Sequence, residues 1–302
     1  MLFVAITSWG NKIKVAQISR AVGDWELVER DVPELGAGEV RVKVDACGIC
    51  HSDVHVKDGL WPGLQYPRVP GHEVAGRIDA LGDNVTAWTT GQRVGVGWHG
   101  GHDFVCEQCR HVCRCDGLQR TAQLRRSRWR RSGSSRYRWV GHLGVQYARQ
   151  MGFQIVAINR GNDKQTLAQK LGAHHYIDAT ATDVVAELQK LGGARVILAT
   201  APSAQAISPL VDGLSPNGLL LVLAAPAEPL SINVFSLIMR RSSVAGWYSG
   251  TARDSQDTME FSALSGAHPM IEKYPLDRVA EAYEQMHSGK VRFRVVLTMD
   301  GE

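Results

Sequence analysis

Residues 141–199 read GHLGVQYARQMGFQIVAINRGNDKQTLAQKLGAHHYIDATATDVVAELQKLGGARVILA, and this stretch decides the fold. A helical pattern over 143–151 leads into an apolar strand at 154–158, and a helix at 163–171 follows. A short strand at 175–177, a helix at 182–191 and a strand at 194–199 come next. Beyond them a helix near 204–214 precedes the strongly apolar strand 218–224. Strands alternating with helices of these lengths imply a parallel sheet with helices on both faces. The tail adds a helix over 276–288 and a strand over 292–299. No internal repeat interrupts the pattern.

Upstream the rhythm is different. The segments 14–18, 25–30, 40–46, 74–81 and 92–96 alternate or carry β-branched residues, with turn chemistry at Val32-Pro33, Gly36-Ala37-Gly38 and Gly82-Asp83-Asn84. Short strands at this spacing predict a small barrel-like, all-β domain. Residues 1–13 form a poor signal peptide, with a short apolar patch and no small-residue cleavage site after a basic start. They are read as an extension outside the fold.

Between the two halves, 111–139 has neither helical nor strand periodicity, and Ser132-Gly133-Ser134-Ser135 is linker-like. The charge balance singles out the same passage. The chain has 302 residues and a formal net charge of +4. Between 110 and 138 lie ten arginines, one acid (Asp116) and no lysine, a local charge of +9, so the rest of the chain carries −5. The basic balance therefore does not describe a generally cationic protein with an acidic partner. With 44% hydrophobic and 21% charged residues the composition is that of a soluble globular protein. No apolar run of about 18 residues exists to span a membrane.

The six cysteines are Cys47, Cys50, Cys106, Cys109, Cys113 and Cys115, with none after them. A secreted disulfide scaffold would be smaller and would spread its cysteines, so C-x-x-C spacing in this chain reads as metal ligation in a reducing, cytoplasmic compartment. The strongest motif is Gly48-Ile49-Cys50-His51-Ser52-Asp53, followed by Gly71-His72-Glu73. A thiolate and an imidazole suit Zn²⁺, and the adjacent carboxylate can act as a further ligand or as an outer-shell partner. The plainer reading, a cysteine and a histidine buried for packing, fits the polar flanks poorly. A second cluster, Asp103-x-x-Cys106-x-x-Cys109, sets a carboxylate and two thiols at regular spacing, and carboxylate ligation beside thiolates is chemically sound. A third motif, Arg138-Trp139-Val140-Gly141-His142-Leu143-Gly144, keeps the end of a glycine-rich turn at the start of a helix, the arrangement that meets a pyrophosphate.

In these residues the sequence resembles the zinc-dependent alcohol dehydrogenases of the medium-chain dehydrogenase/reductase family, over 14–109 and 141–299. The resemblance implies an α/β fold: a β-rich GroES-like catalytic domain (14–110 and 268–302) and a Rossmann-type nucleotide-binding domain (140–267) incomplete at its first strand. It implies Cys50 and His72 as ligands of a catalytic zinc, and Glu73 as a carboxylate able to exchange onto it. Ser52 would bond the alcohol oxygen, and His55 would pass its proton to solvent through the cofactor ribose. Asp103, Cys106 and Cys109 would hold a structural zinc, with Gly117 at the family's fourth ligand position and Cys113 or Cys115 as a surrogate for it. Trp61 and Trp98 match the bulky residues that narrow the pocket in members favouring short primary alcohols, and Cys47 matches no ligand position.

The cofactor, NAD or NADP, would meet His51, Gly141, Gly144, Asn159, Arg160, Lys164 and Arg294. A neutral Asn159 beside Arg160, where the family has a ribose-recognising acid, does not exclude a 2′-phosphate. The implied function is hydride transfer between a small primary alcohol or aldehyde and NAD(P), in a homo-oligomer. The family also places a third zinc cysteine between the structural lobe and the glycine-rich turn, and no residue of 111–140 is assigned to it. The simplest account of that passage is a shifted reading frame or a misplaced exon boundary, which makes the competence of this chain a separate question. Two other readings stay open here. One is a catalytically inactive dehydrogenase-like protein. The other is a nucleic-acid-binding role for the arginines interleaved with Trp129, Tyr137 and Trp139.

Overall fold

In the computed structural model, which describes residues 8–9, 11–98, 100, 131–135, 141–247 and 249–299, the chain divides into two units. One comprises Met1–Cys109 and Met270–Glu302, the other Arg110–Pro269. The first begins with β1 (Ser8–Trp9), β2 (Lys12–Ile18) and β3 (Trp25–Asp31), an antiparallel sheet in that order. The period-2 pattern of β2 buries Ile13, Val15 and Ile18. The expected extension through residue 13 is corrected here: Ser8 pairs with Ile13, and Ile13 lies in the core. Its isoleucine belongs to the alternation that the reading began one residue later.

Next come β4 (Val40–Ile49), α1 (His51–Lys57), β5 (Val74–Leu81) and β6 (Arg93–Val96). Strand β4 turns Val42 and Val44 into the core, and β5 pairs with it antiparallel.

The second unit is a six-stranded, wholly parallel sheet. Its strands are β7 (Arg131–Ser135), β8 (Gln154–Asn159), β9 (His175–Asp178), β10 (Ala194–Ala199), β11 (Leu214–Val222) and β12 (Ser243–Gly246), in the order β12-β11-β10-β7-β8-β9. Its helices are α2 (Gly141–Gln150), α3 (Gln165–Lys170), α4 (Val184–Lys190), α5 (Ala204–Ile207), α6 (Val234–Arg240) and α7 (Ala252–Ser265). This is the doubly-wound order, in which ligands bind at the carboxyl ends of the strands where the winding reverses, here between β7 and β10. Val156 and Ile158 of β8, Ile197 of β10 and Leu220 of β11 belong to its core. Burial of each contributes roughly 1.5–3 kcal/mol.

Strand β7 is the main departure from the sequence reading. Arg131–Ser135, read as linker-like, is a strand in the middle of the sheet and occupies the position expected to be incomplete. Ser132 to Ser135 pair with Val196 to Ala199 on one side, and Arg131 to Ser135 with Gln154 to Ile158 on the other. A strand flanked on both sides is held by main-chain hydrogen bonds to its neighbours, and side-chain propensity is secondary there. The remainder of 111–139 lies outside the described residues.

The chain then returns to the first unit with β13 (Ile271–Pro275), α8 (Val279–Ser288) and β14 (Arg294–Thr298). These complete a five-stranded sheet in the order β13-β14-β4-β5-β6. Val295 lies opposite Ile49 and Leu297 opposite Cys47, so the register carries Arg294 to the end of β4, where the Cys50 motif starts.

Candidate metal centre and cofactor-facing residues

Strand β4 runs directly into α1, and Cys50 sits at the junction as N-cap, with extended backbone angles of −122° and 173°. Its Sγ accepts from Ser52 N at 3.2 Å, while its own N–H donates to Asp53 Oδ2 at 2.8 Å. Cysteine thus takes the place of the usual serine or aspartate cap, and the first turn of the helix aims its sulfur. From the other side the chain reaches His72 through Gly71, whose φ of +117° disfavours any side chain. A Cβ there would stand 3.0 Å from Cys47 Sγ.

These two approaches set His72 Nε2 3.0 Å from Cys50 Sγ. On the opposite edge of the ring, Nδ1 lies 3.3 Å from Asp53 Oδ1, and the Asp53 side chain is 3% exposed. Burial works against charge on both partners. The hydrogen bond from His72 overrides it on Cys50 and lowers the thiol's pKa. The contacts with Asp53 and Cys50 override it on His72 and raise the imidazole's. Cys47, three residues earlier, is the opposite case: burial and the nearby Asp53 charge push its thiol up to about 12, so it stays protonated.

Cys50, Asp53 and His72 form the group of potential metal donors among the described residues, their ligand atoms within 4.8 Å of one another. Because Nδ1 and Nε2 point away from each other, an ion held by Cys50 Sγ and His72 Nε2 has Asp53 as its outer-shell partner rather than as a ligand. Two ligands of one tetrahedral Zn²⁺ stand about 3.6 Å apart when the bonds are ~2.3 and ~2.05 Å. The pair needs to open by little more than half an ångström to fit. The donor chemistry and the spacing both suit zinc.

Glu73 is placed differently from the expectation. Its carboxylate pairs with Arg294, and it does not join Cys50 and His72. Glycine at Gly48 leaves room for this, since a Cβ there would collide with Glu73 Oε2. Trp98 packs edge-on against His72 at 4.7 Å between ring centroids, and Trp61 against Trp98 at 5.3 Å, so both tryptophans stand at the site. Ser52 and His55 lie three residues apart on α1 and share a face. His51 meets His55 edge-on at 6.0 Å and stacks on His287 of α8 at 6.3 Å and 2°.

Sequence reasoning missed two of these residues, Asp53 and His287. Asp53 was visible inside the quoted motif, three residues after Cys50 as a capping box requires. His287 carried no signal, because only the packing of α8 beside α1 brings it there.

In the second unit Gly141 is buried at the start of α2, and a Cβ on Gly144 would touch Leu198 of β10 at 3.4 Å. Glycine here lets the helix lie close to the sheet. Asn159 ends β8, 6% exposed, with Oδ1 accepting from Arg160 N at 2.8 Å. Arg160 is exposed, and Lys164 Nζ lies 3.7 Å from Asp163. Asp178, at the end of β9, organises the neighbouring loop. Its Oδ1 accepts from Gly161 N, Thr180 N and Thr180 Oγ1 at 2.8, 2.9 and 2.7 Å. Asp103, Cys106 and Cys109 lie outside the described residues, and so does every residue of 111–130 and 136–140.

Comparison with known proteins identifies the family. Residues 36–142 match the alcohol dehydrogenase GroES-like domain, and 140–264 match the zinc-binding dehydrogenase domain. The chain is 37% identical to alcohol dehydrogenase patD of Penicillium expansum, over 86% of this chain and 90% of that protein. The fold is shared with benzyl alcohol dehydrogenase from Acinetobacter calcoaceticus, with a TM-score of 0.85 and 21% identity over 95% of this chain and 99% of that one. It is also shared with a Helicobacter pylori protein, CAD, solved in complex with NADP(H), with a TM-score of 0.78 and 22% identity over 95% and 98%. With one unit of GroES-like type that brings Cys50 to His72 and another that is doubly wound, this chain belongs to the zinc-type, NAD(P)-linked alcohol dehydrogenases of the medium-chain dehydrogenase/reductase family.

Proposed function

We propose that this chain interconverts a small primary alcohol and its aldehyde, with Cys50 and His72 holding the catalytic zinc. The observation that carries this reading is the Cys50 Sγ–His72 Nε2 contact at 3.0 Å, with Trp98 against the ring. Zinc, when bound, supplies a Lewis acid that makes the alcohol hydroxyl easier to deprotonate. The protein's own residues do the rest. Asp53 holds His72 in one orientation through Nδ1. Ser52 Oγ takes the hydroxyl proton, and His55, one turn on along the same helix face, passes it outward. Trp61 and Trp98 restrict the space beside His72, which favours a short substrate.

Glu73 sets the side chain of Arg294, and Arg294 supplies positive charge, and His51 a ring N–H donor, for the cofactor phosphates. Gly141 and Gly144 let a dinucleotide approach α2. Asn159 leaves no carboxylate to repel a 2′-phosphate, and Arg160 offers an exposed cation, which supports acceptance of NADP as well as NAD. Asp103, Cys106 and Cys109 are proposed as the structural zinc lobe on their spacing. The test is direct. The purified chain is assayed for zinc content and for nicotinamide reduction with ethanol and benzyl alcohol, using either cofactor. Zinc-dependent turnover that Cys50→Ala and His72→Ala abolish supports the reading, and turnover indifferent to both changes refutes it.

A homo-oligomer is part of the same proposal. Among the described residues β12 pairs with β11 alone, and α6, immediately before it, holds Val234, Phe235, Ile238 and Met239 at 63% to 68% exposed. An open strand edge beside an apolar helix face suits a second copy of the chain. Sedimentation of the wild type and of Phe235→Glu checks it. No described helix is long and apolar enough to cross a membrane. The free Cys47 and Cys50 thiols fit a reducing, cytoplasmic setting.

A further inference from the structure

Beside the metal centre, within the first unit, is a cavity of about 50 Å³. Its walls include the apolar side chains of Val44, Val74 and Leu297, and also Trp25, Cys47 and Asp53. Two of these residues bring buried polar atoms that no described protein group satisfies. Trp25 Nε1 can only donate and Asp53 Oδ1 only accept, and both are buried without a hydrogen-bond partner. The other carboxylate oxygen is already used, accepting from Cys50 N at 2.8 Å. The contact of Oδ1 with His72 Nδ1, at 3.3 Å, is an ion pair outside hydrogen-bond geometry and leaves acceptor capacity over. The third polar wall, Cys47, donates its thiol proton to Gly48 O at 3.6 Å.

An unpaired donor and an unpaired acceptor are each costly in a low-dielectric interior. In one cavity they are remedied together by a molecule that accepts from the first and donates to the second. A water needs roughly 10–15 Å³ of such space, so there is room for at least one. The indole is held in place by Tyr283, with ring centroids 5.6 Å apart.

We propose that this cavity holds an internal water which accepts from Trp25 Nε1 and donates to Asp53 Oδ1, making Trp25 a positioning residue for His72 through Asp53. The carboxylate is then fixed from three directions, by Cys50 N, by His72 and by the water. Outer-shell partners orient the ligating imidazole and tune metal affinity, and Trp25 extends that shell by one member. The water itself is independent of the zinc reading. The effect on metal retention rests on Cys50 and His72 being the ligands.

Two experiments separate these. In crystals of the wild-type protein at high resolution, density within hydrogen-bond distance of both Trp25 Nε1 and Asp53 Oδ1 is expected, and xenon under pressure is expected to stay out. Xenon in the wild-type cavity marks it as dry and overturns the proposal, because xenon occupies apolar, empty cavities. For the coupling, the rate of zinc transfer to a chelator is measured in a double-mutant cycle of Trp25→Phe and Asp53→Asn. Trp25→Phe alone is expected to speed release by roughly threefold to tenfold, less than the 10- to 100-fold typical of a direct outer-shell partner. In the Asp53→Asn background it is expected to change nothing further. Equal acceleration in both backgrounds means a general packing defect and overturns the positioning role. A wild-type protein that retains no zinc sinks the functional reading, and the crystal experiment still decides the water.

Discussion

Replacing Asp53 with asparagine removes the charge behind His72 and keeps the shape. The carboxylate makes two contacts, 2.8 Å from Cys50 N and 3.3 Å from His72 Nδ1. One amide oxygen can serve only one of them, and the amide nitrogen turned toward either meets another donor. With an ion on Nε2 the His72 ring is neutral and Nδ1 carries its proton, so the 3.3 Å contact orients the ring toward the metal and is not an attraction between two unit charges. Its effect on zinc affinity is that of an ordinary outer-shell partner, about 10- to 100-fold. That range corresponds to roughly 1.4–2.7 kcal/mol.

The assay is competition with a chelator of known affinity, with thermal unfolding of the zinc-free form run alongside. Asp53→Asn is expected to weaken zinc by that factor and to leave the metal-free protein folded, since the amide can still cap α1 through Cys50 N. An unchanged dissociation constant for zinc refutes the reasoning, because it means that the Nδ1 contact does not orient His72.

Other outcomes follow from particular residues. Gly71→Ala places a Cβ at φ +117° and 3.0 Å from Cys47 Sγ, so it should cost ~1–3 kcal/mol of stability. That cost is read as a lowered Tm. Trp98→Ala opens the space beside His72 and should raise kcat/KM for benzyl alcohol relative to ethanol by a factor on the order of ten, measured with both substrates. The carboxyl of Asp178 is held below its ordinary pKa by hydrogen bonds from the Thr180 hydroxyl and the Thr180 and Gly161 amides. A lowered folded-state pKa stabilises above the ordinary carboxylate range, and that contribution fades as pH falls through the folded value. Asp178→Asn should therefore flatten the acid limb of the stability profile below about pH 4, followed by chemical unfolding across pH.

Much of the candidate site was legible in the sequence because its donor residues are encoded locally. Cys50 and Ser52 lie in one strand-to-helix turn, and Gly71 and His72 in another, so residue type and spacing carried the chemistry. The alternating strands and helices after Gly141 were legible because burial on both faces of a parallel sheet forces near-continuous apolar runs, as in β8. Arg131–Ser135 was illegible for the complementary reason. A strand bonded on both sides needs no apolar side chain to be held, and RSGSS offers none. Helices α6 and α7 and strand β12 were absent from the sequence reading too; neither helix buries a residue, and the apolar face of α6 is exposed and not turned into the core.

By itself, then, the sequence determined the family, the two domain types and the thiolate–imidazole pair, all of which rest on short-range patterns. Tertiary structure alone decided which carboxylate stands behind His72 and what Glu73 does instead. The register that lays Val295 beside Ile49 delivers Arg294 to the end of β4, and Arg294 takes the Glu73 carboxylate that the motif had offered to the metal. The helix cap at Cys50 turns Asp53 toward the ring in its place. Partners drawn from distant segments are chosen by strand register and burial, and no local pattern in the chain encodes that choice.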